Sequence, residues 1–129
     1  MEFEVRHVTN SEYKLSHNGN LKLSQKFYAK GLQQIKLNSL NVLEEGVILR
    51  GDLGQISLGQ STIIDKKATI KPGLELSPIS YKSIKIGSNC YIGKNTIISC
   101  SFIGDYTYVG TNSIIVRYTY AYIYIYVKY

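Results

Sequence analysis

The chain has 129 residues, the length of one domain, with twelve Tyr, no Trp and only two Pro. A composition this rich in β-formers argues against a helical bundle and for an all-β fold. The net charge is +6, but the Lys residues are scattered along the sequence, which reads as a solvated surface rather than a nucleic-acid site.

Met1-Glu2-Phe3-Glu4 carries acid where a leader carries base, and no apolar run approaches the roughly 20 residues of a bilayer span. A cytoplasmic location without membrane insertion is expected. Residues 1–34 are polar, with turn signals at Ser16-His17-Asn18-Gly19-Asn20, and read as an N-terminal extension holding a short hairpin. Ile35, Leu37, Leu40, Val42 and Leu43 follow as an irregular first coil, in which Asn41 stands 17 positions before Leu58.

Downstream the sequence repeats. An aliphatic residue followed by Gly recurs as Leu58-Gly59, Ile86-Gly87, Ile92-Gly93, Ile103-Gly104 and Val109-Gly110, with spacings of six dominant. Three aliphatic columns emerge: Leu58, Ile86, Ile103; Val47, Ile64, Ile92, Val109; and Leu53, Ile70, Ile98, Ile115. Each steps by 17 residues except at one shared step of 28, which places a protruding loop at residues 71–83. Two positions before each column stands a small residue: Gly51, Thr62, Ala68, Cys90, Thr96, Ser101, Thr107 or Ser113.

Three six-residue units turn a chain once around a triangle, so each aliphatic returns above its predecessor and coils bury a continuous ladder while pairing in parallel. The expected fold is a single-stranded left-handed parallel β-helix, a hexapeptide-repeat solenoid, over residues 35–116. Gly at the corners is expected to supply backbone conformations closed to other residues. Cys90 reads as a small buried hydrophobe, and Cys90 and Cys100, lacking CxxC spacing, read as reduced thiols.

From Arg117 the hexad gives way to strict Tyr/aliphatic alternation through Tyr129. Residues 117–129 are expected to be an atypical tail of a truncated chain, or translated AT-repeat DNA, and an aggregation-prone solenoid end rather than a native cap.

The residue before each inward aliphatic should face out. This stacks Ile63, Tyr91 and Tyr108 on one face, Thr69, Ile97 and Ile114 on the next, and the more polar Ser57, Lys85 and Phe102 on the third. The first two faces are apolar, and Ile63, Tyr91, Tyr108, Ile97 and Ile114 are the expected partner-binding residues, with the 71–83 loop contributing at an edge.

The stretch from Val47 to Leu53, with Ile56-Ser57-Leu58-Gly59, resembles a signature shared by γ-class carbonic anhydrases and the small β-helical subunits of dynactin. Asn10-Ser11-Glu12-Tyr13, Gly19-Asn20 and Gly31 to Asn38, all outside the repeat, are similar to the dynactin subunits. That resemblance covers roughly residues 10–116. It implies a non-enzymatic cargo-adaptor or scaffold subunit at the pointed end of an actin-like filament, supporting dynein-driven transport. Implied partners are other pointed-end subunits, including a related β-helical subunit and an actin-related protein; the scattered Lys residues point to no nucleic acid, and the Tyr/aliphatic tail is expected to aggregate or self-associate. The implied location is cytoplasmic and cytoskeletal.

In γ-class anhydrases three His hold zinc and leave one position open for an activated water. The matching positions here are Lys71, Lys94 and Ser99, which cannot replace imidazole, so no catalytic metal and no cofactor are expected. A hexapeptide acyltransferase needs a His base, and His7 and His17 both precede the coils. A divergent anhydrase-like or acyltransferase-like protein is the alternative reading. Arg50-Gly51-Asp52 spells an integrin-type tripeptide, set aside for want of an export signal. In the resembling families these residues serve a structural or interface network, and Arg50, Gly51 and Asp52 are assigned a structural role.

Overall fold

The computed structural model describes residues 4–6, 21–24, 26–76, 79–116, 120–121 and 126–127. Among them the regular elements are short β-strands and one 3-10 turn, Leu32–Gln34. Three sheets form the walls of a β-helix that the chain visits in rotation. Face 1 contains β4 (Ile35–Lys36), β7 (Ile56–Leu58), β12 (Ile84–Ile86), β15 (Phe102–Ile103) and β18 (Tyr120–Ala121). Face 2 contains β2 (Lys22–Leu23), β5 (Val42–Leu43), β8 (Ile63–Ile64), β13 (Tyr91–Ile92), β16 (Tyr108–Val109) and β19 (Tyr126–Val127). Face 3 contains β1 (Glu4–Arg6), β3 (Phe27–Lys30), β6 (Ile48–Arg50), β9 (Thr69–Ile70), β14 (Ile97–Ile98) and β17 (Ile114–Ile115). Pairing is parallel within each face except where β1 runs antiparallel to β3.

The hexad explains this arrangement. Leu43, Ile64, Ile92 and Val109 stack inward on face 2, and Leu49, Ile70, Ile98 and Ile115 on face 3, all buried. Each such side chain contributes about 1.5–3 kcal/mol of apolar burial, so the continuous ladder, rather than any one strand of two or three residues, holds the coil.

Two corners are built alike. At the corner from face 1 to face 2, Leu40, Ser61, Asn89 and Tyr106 are left-handed; from face 2 to face 3, Gly46, Lys67, Asn95 and Asn112 are. Left-handed backbone costs a non-Gly residue about 1 kcal/mol. Here it turns the amide toward the preceding coil, as in Asn95 N to Lys66 O (3.0 Å) and Asn112 N to Lys94 O (2.8 Å).

Gly31 and Gly46 take the expected left-handed conformation, but the glycines that follow the inward aliphatics do a different job. Gly59, Gly87 and Gly93 lie outside the left-handed region, and a Cβ on each would collide with backbone of the next coil; on Gly93 it would stand 2.7 Å from Gly110 C. They permit close stacking, while the strained conformation falls three positions before each inward aliphatic.

The small interior residues also have a second role. Thr62 Oγ1 donates to Gly87 O (2.6 Å), Thr96 Oγ1 to Gly110 O (3.0 Å), Ser113 Oγ to Gly110 O (2.7 Å) and Cys90 Sγ to Gly104 O (3.0 Å). Buried glycine carbonyls would otherwise be costly, and among the described residues no buried side-chain polar atom lacks a partner. On face 1 the small-residue rule holds at Ser101 but fails at the other positions, where the corresponding ladder is Ile35, Ile56 and Ile84. Gly51 belongs to a corner and not to this row.

Two column assignments are corrected. Leu43 and Leu49, not Val47 and Leu53, pair with Ile64 and Ile70. Val47 is the small inward residue of its unit, and buried Asn41 fills that slot one unit earlier, its Nδ2 donating to Gly59 O (2.7 Å). The cause is the third corner, from face 3 to face 1, which absorbs residues freely. From Leu49 the next column aliphatic is Leu58, from Ile70 it is Ile86, and from Ile98 it is Ile103, whereas Ile86, Ile92 and Ile98 keep the step of six. The largest insertion there forms the antiparallel hairpin β10 (Leu74–Leu76) and β11 (Ile79–Tyr81) within the expected 71–83 loop.

Parallel pairing of β2 with β5 and β3 with β6 carries the stack upstream of residue 35. Tyr120–Ala121 and Tyr126–Val127 of the tail pair in parallel on faces 1 and 2. His7, His17 and the turn at residues 16–20 lie outside the described residues.

Candidate interaction faces and the Arg50 corner

On face 2 the outward ladder runs Val42, Ile63, Tyr91, Tyr108 in register. The rings of Tyr91 and Tyr108 stack with centroids 4.9 Å apart and planes at 25°. Tyr91 is half-buried because its hydroxyl donates to Asp65 Oδ2 at the neighbouring corner. That hydrogen bond, with burial, pushes the Tyr91 pKa up to about 12. Ile63 and Tyr108 remain exposed at 37% and 44%.

Face 3 carries a second ladder of Tyr28, Ile48, Thr69, Ile97 and Ile114, in which Ile97 is half-buried and Ile114 exposed at 47%. All five residues expected to bind partners therefore face outward on two adjacent walls. Val42, Tyr28 and Ile48 extend the ladders beyond the sequence reading. Leu40 and Tyr106, exposed at left-handed positions of the corner between faces 1 and 2, were also unread. Their signal was their hexad phase, one residue before the buried polar slot.

Arg50 and Asp52 sit on the irregular corner. Arg50 Nε donates to Asp52 Oδ1 and Nη2 to Oδ2, both at 2.8 Å, a two-pronged pair with Arg50 almost fully buried. The Arg50 hydrogen bond holds the Asp52 carboxyl below the usual carboxylate range, and Asp52 reciprocally raises Arg50. Beside the pair, Gly31 (φ +70°) and Gly51 approach so closely that a Cβ on either would overlap backbone of the other's segment.

Of the positions that match zinc ligands in the anhydrases, Lys71 and Lys94 are exposed and Ser99 is half-buried. Lys71 N donates to Ile98 O, which sets Lys71 beside Ser99 in the next coil, while Lys94 lies at the corner between faces 2 and 3. No three His, Cys, Asp or Glu side chains converge among the described residues. Cys90 and Cys100 are both free and buried; burial raises both thiol pKa values, that of Cys100 to about 11. No helix among the described residues is long and apolar enough to cross a membrane.

Stacked parallel coils, a hydrogen-bonded interior and apolar outward ladders define a hexapeptide-type β-helix protein. A family model described as dynactin subunit 5 matches residues 1–122. Dynactin subunit 5 of Dictyostelium discoideum is 31% identical over 107 residues, which cover 81% of this chain and 54% of the relative. The chain belongs to the dynactin subunit 5 family. It spans about half the length of that curated relative.

Proposed function

We propose that the chain is a non-enzymatic scaffold subunit of the dynactin complex, placed at its pointed end and supporting dynein-driven cargo transport through protein contacts. The observation that carries this reading is the pair of outward apolar ladders on faces 2 and 3, bracketing one corner. Tyr and Ile in contiguous rows are what a recognition surface needs, and soluble monomers rarely expose such rows. The neighbours are other pointed-end subunits, including a related β-helical subunit and an actin-related protein, and the setting is cytoplasmic and cytoskeletal. Binding there involves no turnover, and the chemistry of Lys71, Lys94 and Ser99 suits neither zinc nor a general base.

Tyr91 and Ile97 are half-buried, and Tyr91 also tethers Asp65, so the exposed ladder members make the cleaner test. Tyr108→Glu with Ile114→Glu should abolish co-purification with the pointed-end subunits while leaving the β-sheet circular dichroism unchanged. Retained co-purification in that double variant would refute the assignment of these faces.

A further inference from the structure

The corner from face 1 to face 2 holds one left-handed residue per coil: Leu40 (φ +61°), Ser61 (+56°), Asn89 (+58°) and Tyr106 (+59°). After Gly, Asn is the side chain best suited to that backbone, and it serves at Asn89 here and at Asn95 and Asn112 on the next corner. A bulky ring is among the poorer choices. Tyr106 nevertheless stands 56% exposed, so burial in the core does not offset its backbone strain. A strained residue that presents its ring to the outside points to use at a surface.

The charge beside it is equally particular. The corner spans residues 37–41, 59–62, 87–90 and 104–107, and within these Asp105 is the one charged side chain, negative in a chain of net charge +6. Asp105 Oδ1 accepts Ser88 N (2.8 Å) of the preceding coil, which fixes the carboxylate next to Tyr106. Among the described residues Asp105 makes no ion pair; on the adjoining wall Lys85 stands in the face 1 ladder, in register with Phe102. Thr107 is buried and donates through Oγ1 to Gly104 O (2.8 Å), which pins the turn from inside. Tyr108 then faces out again and stacks on Tyr91, so the corner runs directly into the face 2 ladder. Asp105, Tyr106 and Tyr108 thus present a carboxylate and two rings, all exposed, on a rigid stretch of backbone.

We propose that these three residues receive an arginine side chain of the protein docked on face 2, its guanidinium pairing with the Asp105 carboxylate and lying against the Tyr106 ring. Arg does both at once, because its planar, weakly hydrated cation stacks on aromatic faces and meets a carboxylate with two prongs, which a compact Lys ammonium cannot match. Tyr and Arg are also the residues that carry much of the energy in recognition surfaces. An acidic segment or a phosphate chain would be repelled by Asp105. The inference rests on the docking of face 2 proposed above and adds to it the partner's chemistry and one further corner.

The test measures binding of the full chain to the purified pointed-end subunits by biolayer interferometry. Tyr106→Asn installs the side chain that the backbone prefers, so it should melt no lower than the parent while binding about tenfold more weakly. Asp105→Asn keeps an oxygen acceptor for Ser88 N and removes the charge; it should weaken binding about tenfold at low salt and flatten its salt dependence. Arginine amide should displace the partner from the parent at concentrations where lysine amide does not, and the two should compete equally against Asp105→Asn. The inference is overturned by unchanged affinity in either variant, by equal competition of the two amides against the parent, or by a lowered melting temperature in Tyr106→Asn, which would assign the ring to packing. Retained binding by the Tyr108→Glu, Ile114→Glu protein would defeat the docking of face 2 and this inference with it. Loss of binding there, with parental affinity in Tyr106→Asn and Asp105→Asn, defeats this inference alone.

Discussion

Replacing Gly93 by Ala isolates the contact on which coil stacking depends. Its backbone lies outside the left-handed region, so Ala is conformationally admissible and would ordinarily stabilise by about 0.4–1 kcal/mol through the unfolded state. The added Cβ, however, would stand 2.7 Å from Gly110 C, 2.8 Å from Thr111 N and 2.8 Å from Val109 O, all backbone of the next coil. Backbone cannot rotate aside as a flexible side chain can, so the coils must separate or shear. Overpacking of this kind costs about 1–3 kcal/mol, and each kcal/mol lowers Tm by about 3–5 °C at this chain length. Gly54→Ala is the control, because its Cβ would meet the Pro72 ring at 3.2 and 3.3 Å and Lys82 O at an ordinary 3.5 Å, and its Tm should change little. Thermal unfolding followed by circular dichroism should rank the proteins in that order. A Gly93→Ala protein as stable as the parent would show that the coils are not packed at this distance.

Three further outcomes follow from the charged and buried groups. In a difference titration of tyrosinate absorbance against Tyr91→Phe, Tyr91 should ionise near 12, and Asp65→Asn should bring it down; ionisation near the ordinary tyrosine value of about 10 would contradict the hydrogen bond. Since the folded pKa is raised, Tyr91 contributes stability that is fully present below about pH 10 and is lost as pH rises toward 12. For Asp52 the folded pKa is depressed, so its stabilisation is present above the unfolded value of about 4 and is lost as pH falls through the folded one. The stability gap between the parent and Asp52→Asn should therefore close in acid, and a gap independent of pH would count against the Arg50 pairing. Cys90 and Cys100 should resist an aromatic disulfide reagent at pH 8 until the chain is denatured; rapid labelling of the native protein would place them at the surface.

The six-residue step within a coil was legible in the sequence because sterics enforce it: two corners need the same left-handed turn and the same inward aliphatic. Ile64, Ile92 and Val109 were placed correctly for that reason, as were the outward Tyr91 and Ile97. The step between coils was legible from Leu58 onward, including the shared step of 28, but not upstream, because the corner from face 3 to face 1 tolerates a 3-10 turn at Leu32–Gln34, a turn at residues 51–53 and a whole hairpin. Carrying a step of 17 through that corner put Val47 and Leu53 where Leu43 and Leu49 belong. Asn41 looked like a broken column for the same reason, although its buried amide does the work that Thr62 does in the next coil.

Single-cysteine footprinting tests the docking of faces 2 and 3 most directly, and the buried native thiols leave the signal clean. Tyr108→Cys and Ile114→Cys should each label readily in the isolated chain and become strongly protected in the assembled complex. Equal labelling rates at both positions, free and assembled, would contradict the account.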